Sequence, residues 1–228
     1  MIRFISFEGG DGSGKTTQLR LLEGYLRAHG KICVCTREPG GTGLGKMIRQ
    51  VLLGAVQGDI SSPTELFLYL ADRAQHVEEI IQPALRSGRL VLCDRFIDST
   101  LAYQGYGRGI DLEMLRRVNF MASRGLVPDL TILLDCPVGA ALARKGRVLT
   151  PEPPGSRASP PANQEPEQPA IHDRFEGEGA EFHERVRQGF LELARAEPNR
   201  IYVVDASLPI PEVQEKIRKI VDVKLTSQ

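Results

Sequence analysis

Short apolar runs rich in β-branched residues alternate along the chain with longer segments whose apolar residues recur every three or four positions. The runs fall at residues 2–7, 32–36, 90–93, 130–134 and 201–204. They are largely apolar throughout rather than alternating, as expected of strands buried on both faces. The periodic segments fall at residues 18–28, 63–85, 112–122, 138 to about 144, 175–196 and 212–223. Leu19, Leu22 and Leu26 share one face of the first segment, and Phe182, Val186, Phe190 and Leu193 form a stripe on the fifth. Pro83 predicts an interruption late in the second. Strands that each feed a helix predict an α/β fold, a parallel sheet with helices on both faces. Binding loops are then expected beyond the carboxyl ends of the strands.

Residues 151–169 break this order with a crowd of Pro, Glu, Ser and Gln. Such a segment buries too little apolar area to offset the entropy of ordering it. It reads as a disordered insertion at the tip of a mobile lid spanning about 144–174, with Arg144, Arg147 and Arg174 on its basic flanks and Arg157 a weaker candidate. The 228 residues otherwise fit a single domain, 1–228. Lys plus Arg and Asp plus Glu both number 29, a balance that argues against a nucleic-acid surface. Cys33, Cys35, Cys93 and Cys136 show no metal-binding or C-x-x-C spacing and read as reduced thiols. The first residues lack a signal-peptide layout, and no apolar run approaches the roughly 20 residues of a membrane span. The expectation is a cytoplasmic protein without a membrane anchor.

The chemistry begins at Gly9-Gly10-Asp11-Gly12-Ser13-Gly14-Lys15-Thr16, a full G-x-x-x-x-G-K-[ST] between a predicted strand and a predicted helix. Glycines let backbone N–H groups turn towards phosphate oxygens, and a helix start near Gly14 adds the positive end of a dipole. Lys15 is suited to the β- and γ-phosphates of ATP and the Thr16 hydroxyl to Mg²⁺. Three predicted strands end in aspartate: Asp94, Asp135 and Asp205. Only Asp94 is followed at once by arginine, so it takes the metal side with Thr16, while the other two read as structural. The N-K-x-D tetrad of GTPases is absent. Well-separated arginines in a small P-loop chain point to a kinase of small anions.

The run Leu92-Cys93-Asp94-Arg95-Phe96-Ile97-Asp98-Ser99-Thr100-Leu101-Ala102-Tyr103-Gln104 resembles the signature of the thymidylate kinase family. So do Phe7-Glu8-Gly9, Thr36-Arg37-Glu38-Pro39-Gly40-Gly41-Thr42, Leu70-Ala71-Asp72-Arg73, Leu134-Asp135-Cys136-Pro137 and Asp173-Arg174-Phe175-Glu176, in the same order as in that family. The resemblance implies a P-loop nucleoside-monophosphate-kinase fold with a five-stranded parallel sheet, transfer from Mg-ATP to dTMP giving dTDP and ADP for dTTP synthesis, and a homodimer. It implies that Arg95 and Arg49 bind the acceptor phosphate, that Asp11 orients it, and that Glu38 lies near the sugar or metal. Arg73 would donate to a thymine carbonyl, with Thr100 and Gln104 also on the base. Tyr103 would crowd the 2′ position. Tyr69, where the family commonly has Phe, would stack on the base. Some members carry an arginine inside the P-loop; here Gly12 and Ser13 stand at those positions. The chain is therefore similar to the bacterial type whose lid supplies the cations, with Arg144, Arg147 and Arg174 as catalytic candidates beside Lys15, Asp94 and Arg95. Two rivals stay open at this point: a kinase of another small acceptor, and a regulator that binds ATP without turning it over.

Overall fold

The structure, a computed structural model, describes residues 2–55, 60–148 and 174–226. Five strands, β1 (Phe4–Glu8), β2 (Cys33–Arg37), β3 (Leu90–Asp94), β4 (Leu130–Asp135) and β5 (Ile201–Asp205), form one parallel sheet in the order β2-β3-β1-β4-β5. The five predicted strands are all present. Their ends shift by one or two residues, because Glu8 and Asp94 continue the ladder past the last apolar side chain.

The helices are α1 (Lys15–Ala28), α2 (Gly43–Gln50), α3 (Ser62–His76), α4 (Gln82–Arg86), α5 (Ile97–Thr100), α6 (Leu112–Ala122), α7 (Val138–Val148), α8 (Ala180–Ala196) and α9 (Ile210–Thr226). Leu19, Leu22 and Leu26 of α1 pack with Val213, Ile217 and Val221 of α9 on Ile5, Phe7, Leu92, Ile132 and Leu134 of the sheet. On the other face Phe182, Val186, Phe190 and Leu193 of α8 join Leu66, Leu70, Leu101, Tyr103 and Leu115 against Leu133 and Ile201. Each fully enclosed Leu or Phe contributes about 1.5–3 kcal/mol by leaving water.

Four local outcomes differ from the sequence reading. The predicted helix at 63–85 is α3 and α4 joined through a π-helical stretch, Val77–Ile81. Pro83 has no N–H to continue the regular ladder, and the hydrogen-bond register widens just ahead of it. The helix expected from 175 starts at Ala180, because Gly177 and the extended Gly179 separate it from a 3₁₀ turn, Arg174–Gly177. Helix α2 was hidden by its glycines; it forms because the Thr42 hydroxyl accepts the Gly45 N–H at 2.9 Å. Helix α5 runs on as a π-helix, Leu101–Gly107, which buries Tyr103 and Gln104 beneath the carboxyl edge of the sheet. The Pro-rich stretch 151–169 lies outside the described residues.

Candidate active site

β1 lies between β3 and β4, and the loops after these strands share one edge of the sheet. In register, Phe7 pairs with Asp94, and Asp94 with Arg37. The P-loop leaving β1 therefore faces the Asp94–Arg95 turn leaving β3. Gly12 and Gly14 adopt φ of +76° and +92°, and α1 begins at Lys15. The Lys15 ammonium donates to the carbonyls of Gly9 (3.1 Å) and Gly10 (2.8 Å). Burial, with the Arg95 guanidinium next, pushes it down to about 8. A phosphate brought beside it favours the charged form.

Thr16 Oγ1 donates to Asp94 Oδ2 at 2.5 Å. These two hard oxygen donors stand at the start of α1, an arrangement that suits Mg²⁺ carried by nucleotide phosphates and completed by water. The other strand-end aspartates are engaged elsewhere. Asp135 accepts both Nε and Nη2 of Arg187, at 2.7 and 2.9 Å, and Asp205 accepts the N–H and hydroxyl of Ser207.

Arg95 reaches across the site. Its Nη1 donates to Gly9 O (3.0 Å) and Ser99 Oγ (3.1 Å), and its Nη2 to Asp11 Oδ1 (2.5 Å) and Tyr103 Oη (3.1 Å). Its guanidinium also lies over the Tyr103 ring, 5.0 Å from the centroid. The arginine is thus bonded to the P-loop on one side and to the helix after β3 on the other.

Beyond it opens a cleft of about 390 Å³. Arg73 rises from α3 into its floor and is only 1% exposed. It donates through Nε to Glu38 (2.8 Å), through Nη1 to Thr100 (2.7 Å) and Asn119 (2.5 Å), and through one Nη2 hydrogen to Phe96 O (3.0 Å). A guanidinium has five N–H donors, so one Nη2 hydrogen remains. Glu38 accepts from Arg73 and from His76 Nδ1 (2.9 Å), and His76 Nε2 lies 2.6 Å from Thr36 Oγ1. The carboxylate of Glu38 therefore faces the arginine that lines the cleft. Gln104 Nε2 donates to Glu65 at 3.0 Å, and Arg49 Nη1 to Pro39 O at 3.0 Å. Tyr69 and Phe175 are near parallel, 17° apart with centroids at 6.4 Å, and wall the cleft.

Behind Glu38, Asp72 is fully buried; its Oδ1 accepts the Gly40 N–H at 3.0 Å and its Oδ2 has no partner. Burial, and then the Glu38 charge, push its carboxyl from 3.8 to about 6. The folded state holds the proton more tightly than the unfolded chain, so stability from this group is complete below about pH 4 and lost as pH rises through 6. Asp72→Asn keeps the acceptor for Gly40 and removes the titration. It is expected to stabilise the protein by up to about 3 kcal/mol at pH 8 and to leave it unchanged near pH 4. Urea denaturation at the two pH values checks this; an equal gain at both would be incompatible with it.

The structure gathers Asp11, Gly12, Gly14, Lys15, Thr16, Glu38, Arg49, Tyr69, Arg73, Asp94, Arg95, Thr100, Tyr103, Gln104 and Arg144 around the one cleft. Gly9, Gly10 and Ser13 support it from behind, with Ser13 97% buried. The Arg144 guanidinium is held by the carbonyls of Ala206 (2.9 Å) and Ser207 (3.5 Å). The side chains of Arg147 and Arg174 lie outside the described residues. The sequence reading gave no site role to Thr17, Arg37, Pro39, Leu53, Ser99 and Phe175, which also line the cleft. Arg37 and Pro39, Ser99 and Phe175 had a signal in the Thr36–Thr42, Leu92–Gln104 and Asp173–Glu176 blocks; Thr17 and Leu53 had none beyond position.

A phosphate cradle after the central strand, an Asp-Arg pair after its neighbour and a cleft that runs on past the same arginine to Arg73 and Tyr69 define a P-loop kinase of small phosphorylated acceptors. Comparison with known proteins narrows the class. The thymidylate kinase family model matches residues 7–152. A thymidylate kinase of Desulfovibrio desulfuricans is 48% identical over 222 residues, 97% of this chain and 96% of the relative. One of Synechococcus is 49% identical over 223 residues, 97% and 95% of the two chains. The crystal structure of thymidylate kinase from Ehrlichia chaffeensis superposes with a TM-score of 0.71 at 35% identity, covering 96% of this chain and 97% of that one. The chain belongs to the thymidylate kinase family, the ATP-dependent enzymes that phosphorylate dTMP to dTDP.

Proposed function

We propose that the cleft holds ATP and dTMP on opposite sides of Arg95 and moves the γ-phosphoryl group between them. The observation that carries this reading is the double engagement of Arg95 with the P-loop and with Ser99 and Tyr103. The P-loop amides, Lys15 and the start of α1 cradle the ATP phosphates. Thr16 and Asp94 would hold Mg²⁺, which supplies charge neutralisation at the donor phosphates. Arg95 and Arg49 hold the acceptor phosphate, and Asp11 fixes the Arg95 fork. A phosphate acceptor is already ionised at neutral pH, so the step needs alignment and charge stabilisation rather than a general base.

On the acceptor side Tyr69 offers a ring face to thymine, and the remaining Nη2 hydrogen of Arg73 is available for a base carbonyl. Glu38 holds Arg73 in place. Thr100 and Gln104 complete the base pocket, and Tyr103, hydrogen-bonded to Arg95 at 3.1 Å, closes the space beside the sugar. ADP release with dTMP, dUMP, thymidine, CMP and AMP offered separately tests the pocket. Turnover with dTMP well above dUMP is the expected result; equal turnover with CMP or AMP would refute these base contacts.

We also infer that the cations of the transition state come from a lid at about 144–174 within a single domain. A Cβ at Gly12 would meet the carbonyl of Ala141, so the P-loop has no room for an arginine there. Arg144, which lines the cleft and donates to carbonyls after β5, Arg147 and Arg174 are the candidates. Arg147→Ala is expected to lower turnover by about 10³-fold, the scale of an arginine that neutralises a phosphoryl transition state, with a smaller loss of dTMP affinity. Steady-state kinetics with unchanged turnover would remove Arg147 from this role.

The homodimer is proposed to form through α3 and α6, which meet at the Arg73–Asn119 bond and carry exposed Phe67, Phe120 and Met121. Patches of this kind mark association surfaces. Sedimentation velocity is expected to give twice the chain mass, and Phe67→Glu with Met121→Glu to give the monomer; a monomeric parent would refute the dimer. A reducing, cytoplasmic setting accords with four free cysteines. Among the described residues no helix is long and apolar enough to cross a membrane.

A further inference from the structure

We propose that Glu8 is a positioning residue for Arg95, holding both its backbone and its guanidinium. This deepens the reading above and rests on the assignment of Arg95 to the acceptor phosphate.

Glu8 ends β1 with no exposed surface, and among the described residues no lysine or arginine pairs with it within salt-bridge distance. A carboxyl in that position is costly unless its oxygens are used. Both are used on the segment that carries Arg95. Oε1 accepts the N–H of Phe96, the next residue, at 2.7 Å. Oε2 lies 2.6 Å from the Ser99 hydroxyl, which in turn accepts Arg95 Nη1 at 3.1 Å.

The backbone of Arg95 needs this support. Its φ is +72°, a left-handed conformation that a side chain with a Cβ disfavours. Three bonds hold it: Arg95 N–H to Phe7 O (2.9 Å), Cys93 Sγ to Arg95 O (3.0 Å) and Phe96 N–H to Glu8. Only the last has a carboxyl acceptor. The turn aims the side chain back over the P-loop instead of along the strand.

Burial, with Asp98 next, pushes Glu8 up to about 8, while Ser99, Arg95 and Phe96 pull it down. Asp98 is itself held by Arg200, at 2.7 and 2.8 Å. The geometry serves in either protonation state. Oε1 must accept from Phe96, and a protonated Oε2 donates to Ser99, whose lone pairs still receive Arg95. Glutamine reproduces the heavy atoms of the neutral arrangement, with Nε2 as donor to Ser99. Methionine fills the volume and leaves the buried Phe96 N–H without an acceptor.

The test measures dTMP affinity by calorimetry, and kcat with KM for each substrate, in the parent and in an Arg95→Ala background. Glu8→Gln is expected to stay within about threefold of the parent. Glu8→Met and Ser99→Ala are expected to weaken dTMP binding and turnover by about tenfold or more, with KM for ATP moving less. In Arg95→Ala neither should cost more than about twofold further, since the arginine they position is gone. If Glu8→Met does not fold, Ser99→Ala carries the comparison. Glu8→Gln as damaging as Glu8→Met, or the same factor lost in both backgrounds, would overturn this inference alone. An Arg95→Ala enzyme that binds and turns over dTMP like the parent would overturn the Arg95 assignment and this inference with it.

Discussion

Arg95→Ala is expected to lower dTMP-dependent turnover by about 10³-fold, the scale of removing preorganised donors from a developing phosphoryl charge. The guanidinium already bonds to Gly9, Ser99, Asp11 and Tyr103, so its position is set before any substrate arrives. Such preorganisation lowers the barrier because no side chain has to be ordered during the reaction. Lysine is not a substitute: one ammonium cannot span four acceptors on two chain segments. Arg95→Lys is therefore expected to recover less than a tenth of the loss. Protein melting should move by only a few degrees, since the site is open to solvent on the cleft side. Single-turnover kinetics with dTMP at saturation separate binding from chemistry, and a variant within fivefold of the parent would be incompatible with this role.

Gly12→Ala is expected to cost at least about 100-fold in turnover and to raise the requirement for ATP, the scale of misplacing reacting groups by about an ångström. Two independent obstacles act at this position. The φ of +76° disfavours any residue with a Cβ, and the added methyl would meet the Ala141 carbonyl of α7. That carbonyl is backbone within a helix and cannot swing aside. Either the P-loop lifts from the sheet edge or α7 moves, and α7 carries Arg147. Gly14→Ala is the informative control: φ is +92° but nothing lies within 4 Å of the added carbon, so only the conformational penalty remains. Equal losses for the two variants would mean that the contact with α7 contributes nothing.

The phosphate cradle was legible in the sequence because its chemistry depends on backbone amides and glycine spacing, which the letters state directly. The parallel sheet was legible for a similar reason: strands covered on both faces have nowhere to put polar residues. Burial of polar groups was not legible. Periodicity alone gives no reason for an arginine in the 63–85 helix to be buried, yet Arg73 is 1% exposed, because Glu38, the Phe96–Thr100 turn and Asn119 arrive from three other places in the chain. The family resemblance named Glu38 for the sugar or metal side; it lines the cleft, and its bonds to Arg73 and His76 are contacts that no sequence pattern announces. Glu8 has a similar history: the Phe7-Glu8-Gly9 block resembles the family, but nothing in the letters shows its carboxyl buried against Phe96 and Ser99. Helix α2 and the π-helical stretches depend on local hydrogen-bond register, and periodicity over a few residues does not resolve that.

β1 precedes the other four strands in the sequence and is the central strand of the finished sheet. Phe4 pairs with Val91 and Ile5 with Leu130, so one edge of this strand stays uncovered until β3 is made and the other until β4 is made. Pairings this distant in sequence slow folding, and an apolar strand waiting for partners is open to aggregation during translation. The nucleotide cradle hangs from that same strand, so ATP cannot rescue the nascent chain by binding early. Yield in cells should therefore follow the supply of chaperones that shelter unpaired strands more closely than it follows the stability of the completed enzyme.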